Sequence, residues 1–304
     1  MNQKTKNLIL FGIMVLIWST TWAVLKIGLT DTPPAVGLAV RFGIAAVLLI
    51  TYSLVRHYKF HFTPAHIRLY LIVGLFNMAL SYFFTYWGTQ FIPSSLSSIL
   101  WSTMPIMLGI QAHFFIKGER LNLTRLLSII IATVGVIMIL SDQKLVISRE
   151  VLIGSLIVLL AVLMGTFPNI YTKKFKADYN PLVLTGMAMA IASIFHSTFA
   201  TITGQWSLSN WNIVSISSAV YLGIFGSCFT FSIYYYLLKQ MSVVKLSFLT
   251  FITPITASII GWIFLHETIT LKEMLGCFII FSGIFLYDSR KYYNFLKNRK
   301  RVHG

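Results

Sequence analysis

The sequence predicts an all-α polytopic membrane protein whose ten transmembrane helices form two inverted five-helix repeats around a central cavity. Three observations carry that expectation: the composition, the apolar runs, and a second half that echoes the first. Of 304 residues, 57% are hydrophobic and only 11% are charged. A soluble domain runs about 45–50% apolar and about 25% charged. So few charges cannot cover a soluble surface of this size, and so apolar a chain is not disordered.

A helix needs about 20 apolar residues to cross the hydrocarbon core. Ten runs meet that need: Leu8–Gly28, Pro34–Val55, Ile67–Gly88, Ser94–Ile116, Leu123–Leu140, Val151–Tyr171, Leu182–Gly204, Ile213–Leu238, Val244–Leu265 and Leu271–Asp288. Lipid satisfies no backbone group, so each run must be a helix or a strand of a closed barrel. Barrel strands alternate over about ten residues. Longer continuous runs such as these are helices. The first run carries Trp18 and Trp22 where a signal-peptide cleavage site needs small residues, and many runs follow it. It is expected to stay as the first helix.

Lys plus Arg number 24 and Asp plus Glu number 8, a formal charge of +16. On a soluble protein that excess would suggest nucleic acid. Here it lies in the gaps between apolar runs. One set of gaps and ends holds nineteen basic residues, six of them between Arg290 and Arg301. The other set holds four: Lys26, Lys144, Arg149 and Lys272. The positive-inside rule then places both termini in the cytoplasm, for a multi-pass protein of the cytoplasmic (inner) membrane. The partners expected are the lipid bilayer and a small-molecule substrate, with no nucleic acid. The basic tail can also touch anionic lipid. Cys228 and Cys277 lie inside apolar runs, so a disulfide framework is not expected.

The halves match in order. Gly74-Leu75-Phe76, Tyr82 and Tyr86-Trp87 face Gly223-Ile224-Phe225, Phe231 and Tyr235-Tyr236 at an offset of 149. Met104-Pro105-Ile106 faces Thr253-Pro254-Ile255 at the same offset, and Glu119 faces Glu267 at 148. Lys26 and Lys173, and likewise Pro34 and Pro181, lie 147 apart. The repeats are therefore 1–143 and 144–304. Five runs per repeat is odd, so the second repeat enters the membrane upside down. Inverted repeats are a recurrent transporter plan, because two halves that exchange shapes open a shared cavity to either side. A receptor or scaffold without transport activity would call for large soluble domains or long loops, and neither is present.

With these features the sequence resembles the drug/metabolite transporter superfamily, in its ten-span EamA-like branch. The matching pieces are Trp18-Ser-Thr-Thr-Trp22 with Lys26, Ala39-Val-Arg41-Phe-Gly-Ile-Ala-Ala46, and the Pro105 and Pro254 helices, each followed by an acid and a glycine-containing run. The resemblance implies a secondary carrier of amino acids, nucleotide-related metabolites or other small organics. It implies a cavity lined by spans 1, 3, 4, 6, 8 and 9, with spans 5 and 10 at the periphery. The second half departs from the pattern, with Gly165-Thr166 opposite Trp18-Ser19 and Ala188 opposite Arg41. The cavity should be chemically lopsided.

Arg41 is the one charge outside the topology pattern. A cation within a span is expensive unless paired, hydrated or snorkelling. Two readings stay open: an anchor near the outer surface, or a contact for an anion or carboxylate in transit. No acid falls at mid-membrane, which weighs against proton-exchanged organic cations, since cation and proton would compete for a carboxylate. Asn77 has four hydrogen-bonding positions to fill in hydrocarbon, and Ser81 shares its helix face. The cavity candidates are Trp18, Ser19, Trp22, Arg41, Asn77, Ser81, Tyr82, Tyr86, Trp101, Thr230, Phe231 and Tyr235. Pro105, Pro168 and Pro254 are candidate kinks or hinges, because proline frees a carbonyl one turn back. No phosphate loop, HExxH or cysteine ligand cluster occurs. No metal, cofactor or enzymatic activity is expected. The expected activity is alternating-access export of amino acids or related neutral or zwitterionic metabolites. Uptake or exchange of an adenosine-type or organic-anion metabolite is the alternative. Coupling to a proton or other ion, and a monomeric or homodimeric state, stay open.

Overall fold

The computed structural model describes residues 2–92, 94–140, 148–265 and 270–302. The expected boundary between repeats at 143/144, with Asp142 and Lys144, lies outside them, as does Glu267. The chain is an all-α polytopic membrane protein. Helix α1 covers Gln3–Gly28, α2 Pro34–Val55 and α3 Pro64–Thr89. Two shorter helices follow, α4 Ser94–Trp101 and α5 Met104–Phe115, then α6 Leu123–Leu140. Next come α7 Arg149–Lys174, α8 Pro181–Ile202 and α9 Ile213–Gln240. The chain continues with α10 Val243–Ser247, α11 Leu249–Leu265 and α12 Leu271–Val302. Among the described residues, α1, α2, α3, α7, α8 and α9 are each long and apolar enough to cross a membrane.

Local chemistry sets the helix starts. Asn2, Thr63, Ser148, Asn180, Asn212 and Ser242 each accept from a backbone N–H of the first turn they precede. These caps satisfy donors that have no partner inside the helix. Pro34, Pro64 and Pro181 stand in the first turn, where a missing N–H costs nothing. Gly204 follows α8 with φ +67°, a left-handed step that glycine takes without strain.

Three departures from the sequence expectation matter. First, Pro105 is not in the middle of a continuous helix. The chain breaks at Ser102–Thr103, and Pro105 opens α5 in its first turn. Pro168 and Pro254 do lie inside α7 and α11. Second, α3 and α9 are not α-helical throughout. Val73–Ser81 and Ile224–Phe229 are π-helical, with the wider i→i+5 step. Third, α12 runs on to Val302 instead of ending near Asp288. Its last two turns hold Lys and Arg and no Gly or Pro, so nothing in them stops a helix.

Glycines set the closest helix approaches. Helices α6 and α12 cross where a Cβ on Gly135 would stand 2.7 Å from Gly276 O, and one on Gly276 would stand 2.8 Å from Gly135 O. Helices α3 and α7 meet in the same way at Gly88 and Gly154. Helix α2 lies along α8, with Ser193 Oγ donating to Ala39 O at 2.8 Å. Gly12, by contrast, has nothing within 4 Å of where a Cβ would stand.

Helix ends are tied by two lysines, 147 residues apart in the sequence. Lys173 Nζ donates to Leu238 O and Met241 O, both at 2.8 Å, closing the end of α9. Lys26 Nζ donates to Thr89 O at 3.2 Å, closing the end of α3. Glu119 lies beside the backbone amides of Val243 and Val244 and near Lys173; its burial pushes the carboxyl above the usual carboxylate range, more than these neighbours pull it down. Lys173→Met is expected to destabilise the fold by about 1–3 kcal/mol, since two carbonyls lose a charged donor. A lowered unfolding temperature of the purified protein is the readout. An unchanged temperature would mean that water replaces the ammonium at no cost.

Candidate functional site

A cavity of about 100 Å³ lies among α1, α2, α3, α4, α5, α7, α9 and α11. Its wall is formed by Trp18, Thr21, Trp22 and Leu25 of α1, Arg41 of α2, and Asn77, Tyr82 and Thr85 of α3. Ser98, Trp101 and Met104 contribute from α4 and α5, Gly165 and Asn169 from α7, Phe231 and Tyr234 from α9, and Leu249, Thr250 and Thr253 from α11. Among the described residues, none of α6, α8 or α12 lines it.

The π-helical step in α9 builds the most polar wall. There the amide of Thr230 bonds Phe225 O, five residues back, instead of Gly226 O. The freed Gly226 carbonyl accepts from Arg41 Nη2 at 3.2 Å, from Trp18 Nε1 at 3.2 Å and from the Thr230 hydroxyl at 2.8 Å. Arg41 also donates from Nε to Ser227 Oγ at 2.7 Å and from Nη1 to Tyr86 Oη at 2.9 Å. Its guanidinium lies over the Tyr82 ring, 4.8 Å from the centroid, a cation–π geometry. Arg41 is only 2% exposed, so it does not snorkel to the outer surface. Among the described residues no carboxylate pairs with it, and no Asp or Glu lines the cavity. Its surroundings are neutral dipoles and ring faces. They hold the cation in place and leave its charge uncompensated.

The aromatic residues form a continuous body. Trp18 meets Phe231 edge-on at 5.3 Å, and Phe231 meets Tyr82 edge-on at 5.8 Å. Tyr234 lies 6.0 Å from Trp18. Asn77, 5% exposed, donates from Nδ2 to Tyr235 Oη at 2.8 Å. Gly165 leaves the room that a side chain would fill: a Cβ there would sit 2.8 Å from Ser81 Oγ, 3.5 Å from the Trp101 ring and 3.6 Å from Asn77 Oδ1.

Of the twelve sequence candidates, Trp18, Trp22, Arg41, Asn77, Tyr82, Trp101 and Phe231 line the cavity. The other five stand behind the wall. Tyr86 and Tyr235 present their hydroxyls to Arg41 and Asn77. Ser81 bonds Ala161 O, Ser19 bonds Val15 O and the Thr256 hydroxyl, and Thr230 bonds the π-helical carbonyls. Lys26 is exposed, is not part of the wall, and donates to Thr89 O. His196 is buried against Phe42 and Phe83, away from the cavity lining. Asn169 and Tyr234 line the cavity and are absent from the sequence candidates. Asn169, an amide within an apolar run, carries the same sequence signal as Asn77. Among the described residues, no group of three His, Cys, Asp or Glu could hold a metal.

Comparison with known proteins fits this architecture. The model of the EamA-like transporter family matches residues 5–141 and again residues 152–287. The uncharacterized transporter YoaV of Bacillus subtilis (strain 168) is 29% identical over 282 residues, covering 91% of this chain and 96% of that protein. Protein PagO of Salmonella typhimurium is 23% identical over 284 residues, covering 93% of each. A solved crystal structure shares the fold, with a TM-score of 0.75 at 18% identity, over 93% of this chain and 96% of the other.

Proposed function

The chain belongs to the EamA-like transporter family, whose members move small molecules across membranes, and from that premise we propose that it exports amino acids or related zwitterionic metabolites by alternating access. The observation that carries this reading is Arg41: a buried cation without an acid, set in an aromatic cavity. Burying an unpaired charge costs several kcal/mol. A carboxylate on the cargo supplies the missing counter-charge, and the rings accept an apolar body. The cargo's ammonium meets amide oxygens and ring faces, since no acid is at hand.

The inverted ten-span arrangement is part of the proposal. The two π-helical segments support it, because they fall at matching places in α3 and α9. So do the helix pairings. Helices α2 with α8, α6 with α12, and α3 with α7 against α1 with α9 are the pairs that a two-fold relation between halves would exchange or keep. In this reading α4–α5, α6, α10–α11 and α12 supply the remaining crossings, and the halves are 1–143 and 144–304. Both termini are cytoplasmic in the inner membrane. A metabolite pocket runs about 300–1,000 Å³. The present cavity is much smaller, which fits a contracted state that widens as the halves rock apart, with Pro168 and Pro254 as bending points. A second reading, a carrier of organic anions by uptake or exchange, is favoured by the same uncompensated charge.

Reconstituted protein in liposomes tests both. Labelled neutral amino acids are expected to exchange in counterflow against unlabelled amino acid inside, and their decarboxylated amines are not. Flux of monocarboxylates that lack an amino group, with none of amino acids, would select the second reading. No flux of any carboxylate by folded protein would overturn both.

A further inference from the structure

Three side chains of the cavity wall end in buried polar atoms that no described residue satisfies: Asn169 Oδ1, Tyr234 Oη and Trp101 Nε1. Asn169 is 1% exposed and Tyr234 is 2% exposed. Buried polar atoms are ordinarily paired, and each unpaired one calls for an explanation. Here three occur on one cavity, on three different helices. Asn169 and Trp101 both adjoin Gly165. Asn169 Nδ2 is spent on Gly165 O at 2.9 Å, one turn back in its own helix, which leaves Oδ1 as the free end of the amide. The Gly165 gap also opens onto Trp101 and Asn77. Asn77 reaches Tyr235, whose ring meets that of Tyr234 at 5.5 Å.

None of these three atoms bonds Arg41, whose donors go to Ser227, Tyr86 and Gly226. Tyr234 packs against Trp18 and Phe231, and Phe231 meets Tyr82, over which Arg41 lies. The chemistry of the free atoms is mixed. An amide oxygen only accepts, an indole N–H only donates, and a phenol does either. A neutral group that both donates and accepts would satisfy them together.

We propose that, while Arg41 takes the anionic group of the cargo, Asn169, Tyr234 and Trp101 take a second, neutral hydroxyl or amide group of the same molecule. This rests on the reading of the cavity as the transport site for a carboxylate. It goes further by requiring a second polar group on the cargo, and by making Asn169 and Tyr234 specificity-determining residues.

Matched probes test it by calorimetric or fluorimetric binding to the purified full-length protein. The probes are 3-phenylpropanoate, 3-(4-hydroxyphenyl)propanoate and the methyl ester of the latter. Wild-type protein is expected to bind the hydroxylated acid at least about fivefold more tightly than the plain acid, and the ester more weakly than either acid. In Asn169→Leu and in Tyr234→Phe the ratio of the two acid affinities is expected to fall toward one. Tyr234→Phe removes a single oxygen and keeps the ring, so it guards against a misfolded Asn169 variant. A wild-type ratio near one, or a ratio kept in both variants, overturns the second polar contact while acid binding still supports the carboxylate reading. Failure of folded wild-type protein to bind either acid overturns both.

Discussion

Arg41→Gln is expected to reduce counterflow of carboxylate-bearing cargo by about a hundredfold to a thousandfold, with little loss of fold stability. The two halves of that expectation have one cause. Truncating one partner of a buried, hydrogen-bonded charge pair costs about 2–5 kcal/mol, much of it the penalty of leaving the other charge unpaired. Each 1.4 kcal/mol is a factor of ten in affinity. In the cargo-free protein, however, Arg41 has no carboxylate to lose. It gives up bonds to Ser227, Tyr86 and Gly226 and also escapes the cost of an uncompensated buried cation. Replacing buried charges by neutral groups is often neutral or stabilising. Glutamine keeps a donor for the Gly226 carbonyl. Thermal unfolding of cargo-free protein, with counterflow alongside, separates the two readings that the sequence leaves open. An anchor predicts a large loss of unfolding temperature in the absence of cargo. A cargo contact predicts a near-constant temperature and lost flux. Arg41→Lys should fall between, since lysine keeps the charge and loses the planar fork that matches a carboxylate.

Gly276→Val, by contrast, is expected to leave little folded protein. A Cβ on Gly276 would meet Gly135 O at 2.8 Å, Ile139 Cγ1 at 2.6 Å and Ile139 N at 3.2 Å. Two of these are backbone atoms, which cannot swing aside as a side chain would. Gly283 lies similarly tight against α6, its Cβ position 2.6 Å from Ser128 O. Helices α6 and α12 would have to separate along this crossing. Overpacking of a close contact costs about 1–3 kcal/mol, occasionally more, and in lipid no hydrophobic drive between helices returns it. Monodisperse yield in detergent and unfolding temperature are the measurements. Gly12→Ala is the control: its Cβ position is open, so yield and stability should stay near wild type. A Gly276→Val protein as stable as wild type would show that the crossing can shift at no cost. Since no described residue of either helix lines the cavity, any surviving Gly276→Val protein should still bind cargo.

The membrane class, the order of the helices and most helix bounds were legible in the sequence. Pro34–Val55 and Leu123–Leu140 appear as expected to the residue. Lipid allows few options: a backbone without water must be helical, and its apolar length is counted directly. Prolines and polar caps then mark the first turns. Arg41 was legible for a related reason, as the one basic residue set well inside a run while the others fall in the gaps or near run ends.

Hydropathy does not report backbone register, and that is where the sequence stopped. The π-helical steps at 73–81 and 224–229 keep the apolar composition of an α-helix, so no count of residues finds them. The break before Pro105 is of the same kind. Yet the step in α9 frees the Gly226 carbonyl that holds Arg41 and Trp18 together. Asn169 was readable as an amide in lipid, but its free oxygen was not. Only the packing of α3, α4, α7 and α9 around Gly165 leaves that oxygen, the Tyr234 hydroxyl and the Trp101 indole without partners on one cavity. By itself the sequence determined the solvent, the helices and the presence of one costly cation. Tertiary structure decided which polar atoms are paired and which find no partner among the described residues, because pairing depends on three-dimensional distances between helices far apart in the chain.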